Sequence, residues 1–335
     1  MNGQSLLFSA PFQVSLCEER FPAPGPGQAL VCTRLSAISS GTEMLVYRGQ
    51  FPPDLPLDAG LPALGGVFSY PVRYGYASAG EVVELGPGVE REWQGRRVFS
   101  FQPHASHFLA PVEELLPLPD ALSFEEAVFL PNMETAVTLV LDGQPLLGER
   151  VLVFGQGVVG LLATALLARF PLAELVTLDR FPLRREASLA LGASASLEPE
   201  DLSQELGRRM PQGADLSFEV SGAPEALDQA IAATGFAGRV VIGSWYGTKP
   251  ACLDLGGSFH RSRMRLISSQ VSSLDPGLSG RWTKARRLET VWEMLARVEP
   301  SSFITHRFPL ERAAEAYRLL DENPEEALQV VLTYG

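Results

Sequence analysis

The sequence predicts an α/β protein with two domains, a barrel or sandwich of short antiparallel strands followed by a doubly wound parallel sheet with helices on both faces. Three observations predict it. Up to about Pro119 the chain is rich in Pro and Gly and carries short alternating apolar runs. Beyond Glu149 the apolar runs become continuous and are separated by segments of helical period. A chain of 335 residues with 46% hydrophobic content is also long enough for two cores rather than one.

The N-terminal strands are ALVCTRLSAI (29–38), GEVVELG (80–86) and RRVFSF (96–101), whose alternation between turn signals fits half-buried antiparallel pairing. PDALSFEEAVFL changes the period: Ser123 and Glu126 have capping-box spacing, and the apolar residues after them recur at helical intervals. ERVLVFG (149–155) is a strand, followed by a small-residue helix from Val158 to Phe170 and a strand LVTLD (175–179). The helix-like RREASLALGA, the strand ADLSFEVSG (214–222), the helix-like PEALDQAIAATG and the strand GRVVIGS (238–244) continue the alternation. Strands built of Val, Leu and Ile without polar alternation are covered on both faces, as in a parallel sheet. The chain then yields a helix from Trp282 to Val298, a strand from Phe303 to Phe308, a helix from Leu310 to Leu320 and a last strand, EALQVVLTY. The expected domains are 1–122, 123–270, and a C-terminal return, 271–335, that completes the first.

Composition excludes several functions. With 39 acidic and 27 basic residues the net charge is −12, which opposes nucleic-acid phosphates and anionic lipid. The arginines of 281–287 read as the solvated face of a helix. Cys17, Cys32 and Cys252 are far apart and form no CxxC pair, so neither a cysteine-rich structural zinc lobe nor a disulfide framework is expected. MNGQSLLFSAPFQ lacks a basic region before a long apolar run, and no apolar span reaches membrane length. A soluble, cytoplasmic protein with a small-molecule substrate and no nucleic-acid or membrane partner is expected.

VLVFGQGVVG sets Gly155, Gly157 and Gly160 at GxGxxG spacing, directly after a strand and at the start of a helix. In a Rossmann unit the first glycine permits the tight turn, the second lets backbone approach a pyrophosphate, and the third brings helix against sheet. The amides of the helix start, including Val158 and Val159, face the phosphates with the positive end of the helix dipole. Asp179, at the end of the next strand, can accept from both ribose hydroxyls and would repel a 2′-phosphate, which favours NAD. Arg180 follows it, with Arg184 and Arg185 one turn on, so NADP stays open.

SSGTEMLVYRG (39–49), GYASAGEVVELGPGV (75–89), SHFLAPVEELLPLPDALSFEEAVFL (106–130), the glycine loop and the tail FPLERAAEAYRLLDENPEEALQVVL together resemble the medium-chain dehydrogenase/reductase superfamily. The resemblance covers nearly the whole chain. It implies a GroES-like β-barrel catalytic domain beside the Rossmann domain, with substrate in the cleft between them, and a homodimer. In zinc-dependent members a C-G-T-D segment supplies a cysteine ligand and a relay hydroxyl, and G-H-E supplies a histidine ligand. Here Ser40 stands at the cysteine place, Thr42 at the relay, Glu43 at the acid, Tyr76 at the histidine, Ala77 at the following glutamate and Leu45 where some members carry a relay histidine. LPNMETAV offers only Glu134 in the region of the third ligand. Catalytic zinc needs three good protein donors, so neither catalytic nor structural zinc is expected, and HxxH at His104 and His107 lacks a third ligand. One or both of these histidines line a cleft, His107 foremost, or satisfy a backbone group.

Without a metal, a carbonyl must be polarised by hydrogen-bond donors. Tyr76 and Thr42 are the leading donors by position, supported by Ser40 and Glu43; Tyr76 either donates or fills the vacated space. GSWYGTK (243–249) follows a parallel strand, which sets Ser244 beside the cofactor and Trp245 and Tyr246 as walls of the nicotinamide or substrate, or at a subunit interface. FHRSRMRLISSQVSS resembles the stretch that passes the nicotinamide, making Ser269 and Gln270 cofactor neighbours. With GRWTKARR, these segments look most like the branch that includes bacteriochlorophyllide hydroxyethyl dehydrogenase, which implies a bulky hydroxyethyl or ketone substrate. The expected function is zinc-independent hydride transfer between nicotinamide and an alcohol or ketone. Quinone or enone reduction, and dinucleotide binding without catalysis, are the alternatives.

Overall fold

The computed structural model describes residues 1–52 and 62–335. The chain divides into two compact units, one of Met1–Pro131 with Glu299–Gly335, the other of Asn132–Val298.

The first unit opens with the antiparallel hairpin β1 (Asn2–Ala10) and β2 (Gln13–Arg20). It continues through β3 (Gln28–Ala37), the short helix α1 (Thr42–Tyr47), β4 (Ser78–Leu85), β5 (Arg97–Ser100), β6 (His107–Pro111), β7 (Leu116–Pro117) and α2 (Phe124–Ala127). The Ser123–Glu126 capping box is present at α2, with the Ser123 amide donating to Glu126 Oε2 at 2.9 Å.

The second unit starts within α3 (Leu130–Gly143), then alternates β8 (Arg150–Phe154), α4 (Val158–Leu167), β9 (Glu174–Leu178), α5 (Pro182–Ala190), β10 (Ala195–Leu197), α6 (Leu202–Arg209), β11 (Ala214–Glu219), α7 (Pro224–Ala233), β12 (Thr234–Ile242) and β13 (Arg265–Ser268), and closes with α8 (Lys284–Val298). Every pair in its sheet is parallel, in the order β10-β9-β8-β11-β12-β13. The order reverses between β8 and β11, where a doubly wound sheet opens a crevice at its carboxyl edge. Two apolar clusters, around Phe154 and Leu227 and around Phe218 and Leu139, bury β8 and β11.

β14 (Ile304–Pro309), α9 (Ala313–Glu322) and β15 (Gln329–Thr333) return the chain to the first unit. Its main sheet runs β14-β15-β3-β4-β5-β7, with β6 also on β3. β14 and β15 pair in parallel, so this sheet is mixed rather than purely antiparallel. The reason is α9, which carries the chain back along the sheet and buries Ala316, Tyr317 and Leu320 in the core with Phe8, Met44 and Tyr74. The unit boundaries also differ from the expected 122 and 270. α8 belongs to the second unit, where it packs against α4 and ties Arg287 to Glu134 of α3 at 2.5 Å.

Candidate active site

In the second unit the glycine loop joins β8 to α4. Gly155 has φ +93, a conformation that favours glycine, and a Cβ on it would lie 2.5 Å from Ser221 Cα. A Cβ on Gly160 would collide with the Gly155 carbonyl oxygen, so the third glycine sets how closely α4 approaches the loop. Gly157 caps α4, whose first residues are Val158 and Val159. Gln156 braces the loop from within: its side-chain amide donates to Gly155 O at 2.9 Å and accepts from Thr164 Oγ1 at 2.9 Å. Asp179 lies against this loop, with Oδ2 accepting from the Gln156 amide at 2.7 Å and Oδ1 from the Phe181 amide at 2.9 Å. Arg180 and Arg184 both stack on the Phe181 ring, and Arg184 comes within 3.8 Å of Asp179 Oδ2.

The other parallel strands end in the same layer. Glu219, wholly buried at the tip of β11, accepts from the Ser221 amide at 2.8 Å and from the Tyr246 hydroxyl at 2.5 Å. Burial, then the Glu219 carboxylate, hold the Tyr246 hydroxyl far above its ordinary pKa, so it stays a donor. Ser244 Oγ accepts from the Gly222 amide at 2.8 Å, and Ser269, just past β13, donates its amide to Ile242 O at 2.9 Å. Gln270 folds onto Ser272, and Trp245 is exposed.

In the first unit the hydroxyl-rich segment Ser39–Thr42 leads into α1. Glu43 is wholly buried, and both its oxygens are engaged. Oε1 accepts from the Ser39 amide at 2.8 Å; Oε2 accepts from the Tyr317 hydroxyl at 2.6 Å and lies 2.9 Å from His104 Nε2. His104 Nδ1 is 2.7 Å from Ser36 Oγ, itself 2.7 Å from the Tyr334 hydroxyl. A carboxylate oxygen accepts, so the contact with Glu43 makes His104 Nε2 the donor. Burial, then Glu43, keep the Tyr317 hydroxyl protonated to high pH, and burial does the same for Tyr334. Gly75 makes room for the ring: it has φ +115, and a Cβ there would be 2.7 Å from His104 Cδ2. Tyr76 donates its hydroxyl to Ser39 Oγ at 2.6 Å, and the Thr42 amide approaches the same oxygen at 3.4 Å. Ser39, Ser40, Thr42 and Tyr76 are each partly exposed.

The residues expected from sequence therefore fall into two groups. Ser40, Thr42, Glu43 and Tyr76 gather in the first unit. Gly155, Gly157, Val158, Val159, Gly160, Asp179, Arg180, Ser244, Tyr246, Ser269 and Gln270 lie at or just beyond the carboxyl ends of the second unit's strands. His107 opens β6 opposite Cys32, and its ring meets Phe21, outside the Glu43 cluster. Burial and the nearby amino terminus hold its pKa below the usual value. His104, three residues earlier, is the histidine that joins Glu43. Sequence reasoning missed Ser39, Ser36, Tyr317 and Tyr334. The four-residue spacing of Ser39 and Glu43 was a readable signal; Tyr317, on α9, gave none.

The sequence pattern of the zinc-binding dehydrogenase family matches residues 158–289. (R,R)-butanediol dehydrogenase of Bacillus subtilis is 30% identical over 251 residues, covering 66% of this chain and 71% of that protein. The chain belongs to the zinc-binding dehydrogenase family. It is an oxidoreductase of the medium-chain dehydrogenase/reductase type. Among solved structures, the alcohol dehydrogenase RspB of Escherichia coli CFT073, complexed with NADH, superposes with a TM-score of 0.80 at 21% identity over 99% of both chains. A putative zinc-binding dehydrogenase from Sinorhizobium meliloti 1021, bound to NADP, gives 0.77 at 18% identity, again over 99% of both.

The family's description implies zinc, but the side chains of the first unit's cluster are poorly suited to it. Ser40 and Tyr76 are hydroxyls, poor ligands at neutral pH. Glu43 and His104 have their donor atoms committed to each other and to Ser39, Tyr317 and Ser36. Among the described residues no three His, Cys, Asp or Glu side chains are grouped to hold an ion. The donors at these positions do not fit a catalytic zinc.

Proposed function

We propose that this family member is a zinc-independent, NAD-preferring oxidoreductase that moves a hydride between nicotinamide and an alcohol or ketone carbon. The observation that carries this reading is the Gly155–Gly160 loop, hydrogen-bonded through Gln156 to Asp179, the carboxylate that in this reading meets the ribose hydroxyls of a dinucleotide. Gly155, Gly157 and Gly160 shape the phosphate cradle, and the amides of Val158 and Val159 face the phosphates. Asp179 takes the ribose hydroxyls, with Arg180 and Arg184 beside the adenine. Ser244, Tyr246, Ser269 and Gln270 border the nicotinamide. When bound, the nicotinamide supplies or accepts the hydride. The hydroxyl cluster around Ser40, Thr42 and Tyr76 serves the substrate oxygen, directly or through a relay, and Glu43 supports it from the core. The bulky hydroxyethyl or ketone substrate class, a homodimer through the edge of the parallel sheet, and a cytoplasmic location belong to the same reading.

The test is a panel of secondary alcohols, ketones, quinones and enones followed by the absorbance of reduced nicotinamide, on protein whose metal content has been measured. Alcohol oxidation without stoichiometric zinc is expected. Double-bond or quinone reduction without alcohol oxidation would overturn the substrate class. Tight cofactor binding with no turnover of any compound would leave a binding protein.

A further inference from the structure

The geometry points to Ser39, rather than Ser40 or Tyr76, as the catalytic residue that hydrogen-bonds the substrate oxygen, with Tyr76 as the proton relay behind it. This inference rests on the alcohol/ketone reading above. A serine hydroxyl has one proton to give and two lone pairs to receive with. Both lone pairs of Ser39 Oγ are addressed, by the Tyr76 hydroxyl at 2.6 Å and by the Thr42 amide at 3.4 Å, and among the described residues its own proton has no acceptor. The hydroxyl is partly exposed. Its proton is thus directed at whatever oxygen docks there.

Ser39 is also the best anchored residue of the segment. Its amide donates to Glu43 Oε1 at 2.8 Å, and its carbonyl accepts from the Glu43 amide at 3.0 Å. Glu43 is fixed in turn by Tyr317 from α9 and by His104, which Ser36 of β3 and Tyr334 hold from the far side. Neither Glu43 nor His104 has exposed surface, so they are positioning residues. A donor whose backbone is fixed by a buried network needs little reorganisation as charge develops on a carbonyl oxygen.

In the reduction direction the carbonyl carbon gains the hydride that reduced nicotinamide supplies, and the carbonyl π pair moves to oxygen. That oxygen bonds the Ser39 proton, Ser39 Oγ takes the proton of Tyr76, and Tyr76 takes one from water. The ketone is reduced to the alcohol and the nicotinamide is oxidised. Alcohol oxidation runs the same transfers backwards.

The test compares Ser39→Ala, Ser39→Thr, Tyr76→Phe and the Ser39→Ala/Tyr76→Phe double variant on a ketone that the wild type reduces. Ser39→Ala is expected to lower kcat by about 10²–10⁴-fold, the usual range for a lost general acid, with the NADH Kd from fluorescence titration unchanged. Ser39→Thr, which keeps the hydroxyl, should recover most of the rate. The double variant should be no slower than Ser39→Ala, because the two hydroxyls act in series. The infrared carbonyl stretch of the ketone bound with oxidised cofactor should lie lower in the wild type than in Ser39→Ala. Wild-type rates in Ser39→Ala, multiplicative losses in the double variant, or an unshifted stretch would overturn the role of Ser39 while leaving the reaction class intact. Should Ser39→Ala fail to fold, full activity in Tyr76→Phe would overturn the relay. A wild type that reduces no ketone would overturn the reaction class itself, and the Ser39 role with it.

Discussion

Asp179 is hydrogen-bonded to two backbone amides, of Gln156 and Phe181, which orient its carboxylate without any ligand. On the proposed reading, a ribose would meet an acceptor already in place, and a 2′-phosphate would meet a negative charge. Asp179→Ala should therefore weaken NAD by at least about tenfold, in line with a charged hydrogen bond of about 1.5–3 kcal/mol, and NADP much less. Fluorescence titration of both reduced cofactors checks this; equal losses would mean that Asp179 does not read the ribose. Gly75 offers a second test at this scale. Its backbone has φ +115 and His104 fills the space where a side chain would go. Gly75→Ala should cost about 2–4 kcal/mol through backbone strain and overpacking, seen as a lower urea midpoint with an unchanged slope.

Elements are held by side chains that reach across them. Arg239 of β12 donates to the Gly143 and Gln144 carbonyls at the end of α3, at 2.6 and 2.8 Å, and pairs with both oxygens of Glu149 at 2.7 Å. Burial alone would raise the Glu149 carboxyl; the Arg239 guanidinium and the Leu146 amide outweigh it and hold the pKa below the ordinary value. A carboxyl lowered in the folded state stabilises the protein above its unfolded pKa, and that contribution is lost as pH falls through the folded value. Arg239→Ala should destabilise by about 3 kcal/mol, as breaking a largely buried pair does. The variant should also lose part of the wild type's decline in stability under acid, measured by thermal melts between neutral pH and the acidic limb. On α9, Tyr317→Phe leaves buried Glu43 with one donor fewer and should cost about 1.5–3 kcal/mol.

At the scale of the molecule the two units are built differently along the chain. The second is one continuous segment with its own sheet and cores, whereas the first needs β14, α9 and β15 to complete its sheet. Asn132–Val298 expressed alone should unfold cooperatively and, on the proposed reading, quench with NADH; Met1–Pro131 alone should not fold. Circular dichroism melts of the two fragments decide it. Metal analysis of the whole protein should find no stoichiometric zinc, and incubation with a chelator should leave turnover unchanged.

What the sequence determined by itself is what local physics controls. The glycine spacing after an apolar strand, the Val and Leu runs of the parallel sheet, and the capping box at Ser123 depend on neighbours a few residues away, and each stands where expected. Ser40, Thr42 and Tyr76, hydroxyls in short motifs, were legible as candidates in the same way. Only the tertiary structure decided which groups surround them. Glu43 meets Tyr317 across 274 residues of chain and Ser36 meets Tyr334 across 298, contacts that no local pattern encodes. The separate surroundings of His104 and His107 follow from where β6 begins its pairing with β3, and the assignment of α8 from its packing on α4 and its Arg287–Glu134 pair. Long-range packing chooses the partners of a buried polar group, because each donor and acceptor removed from water must find another.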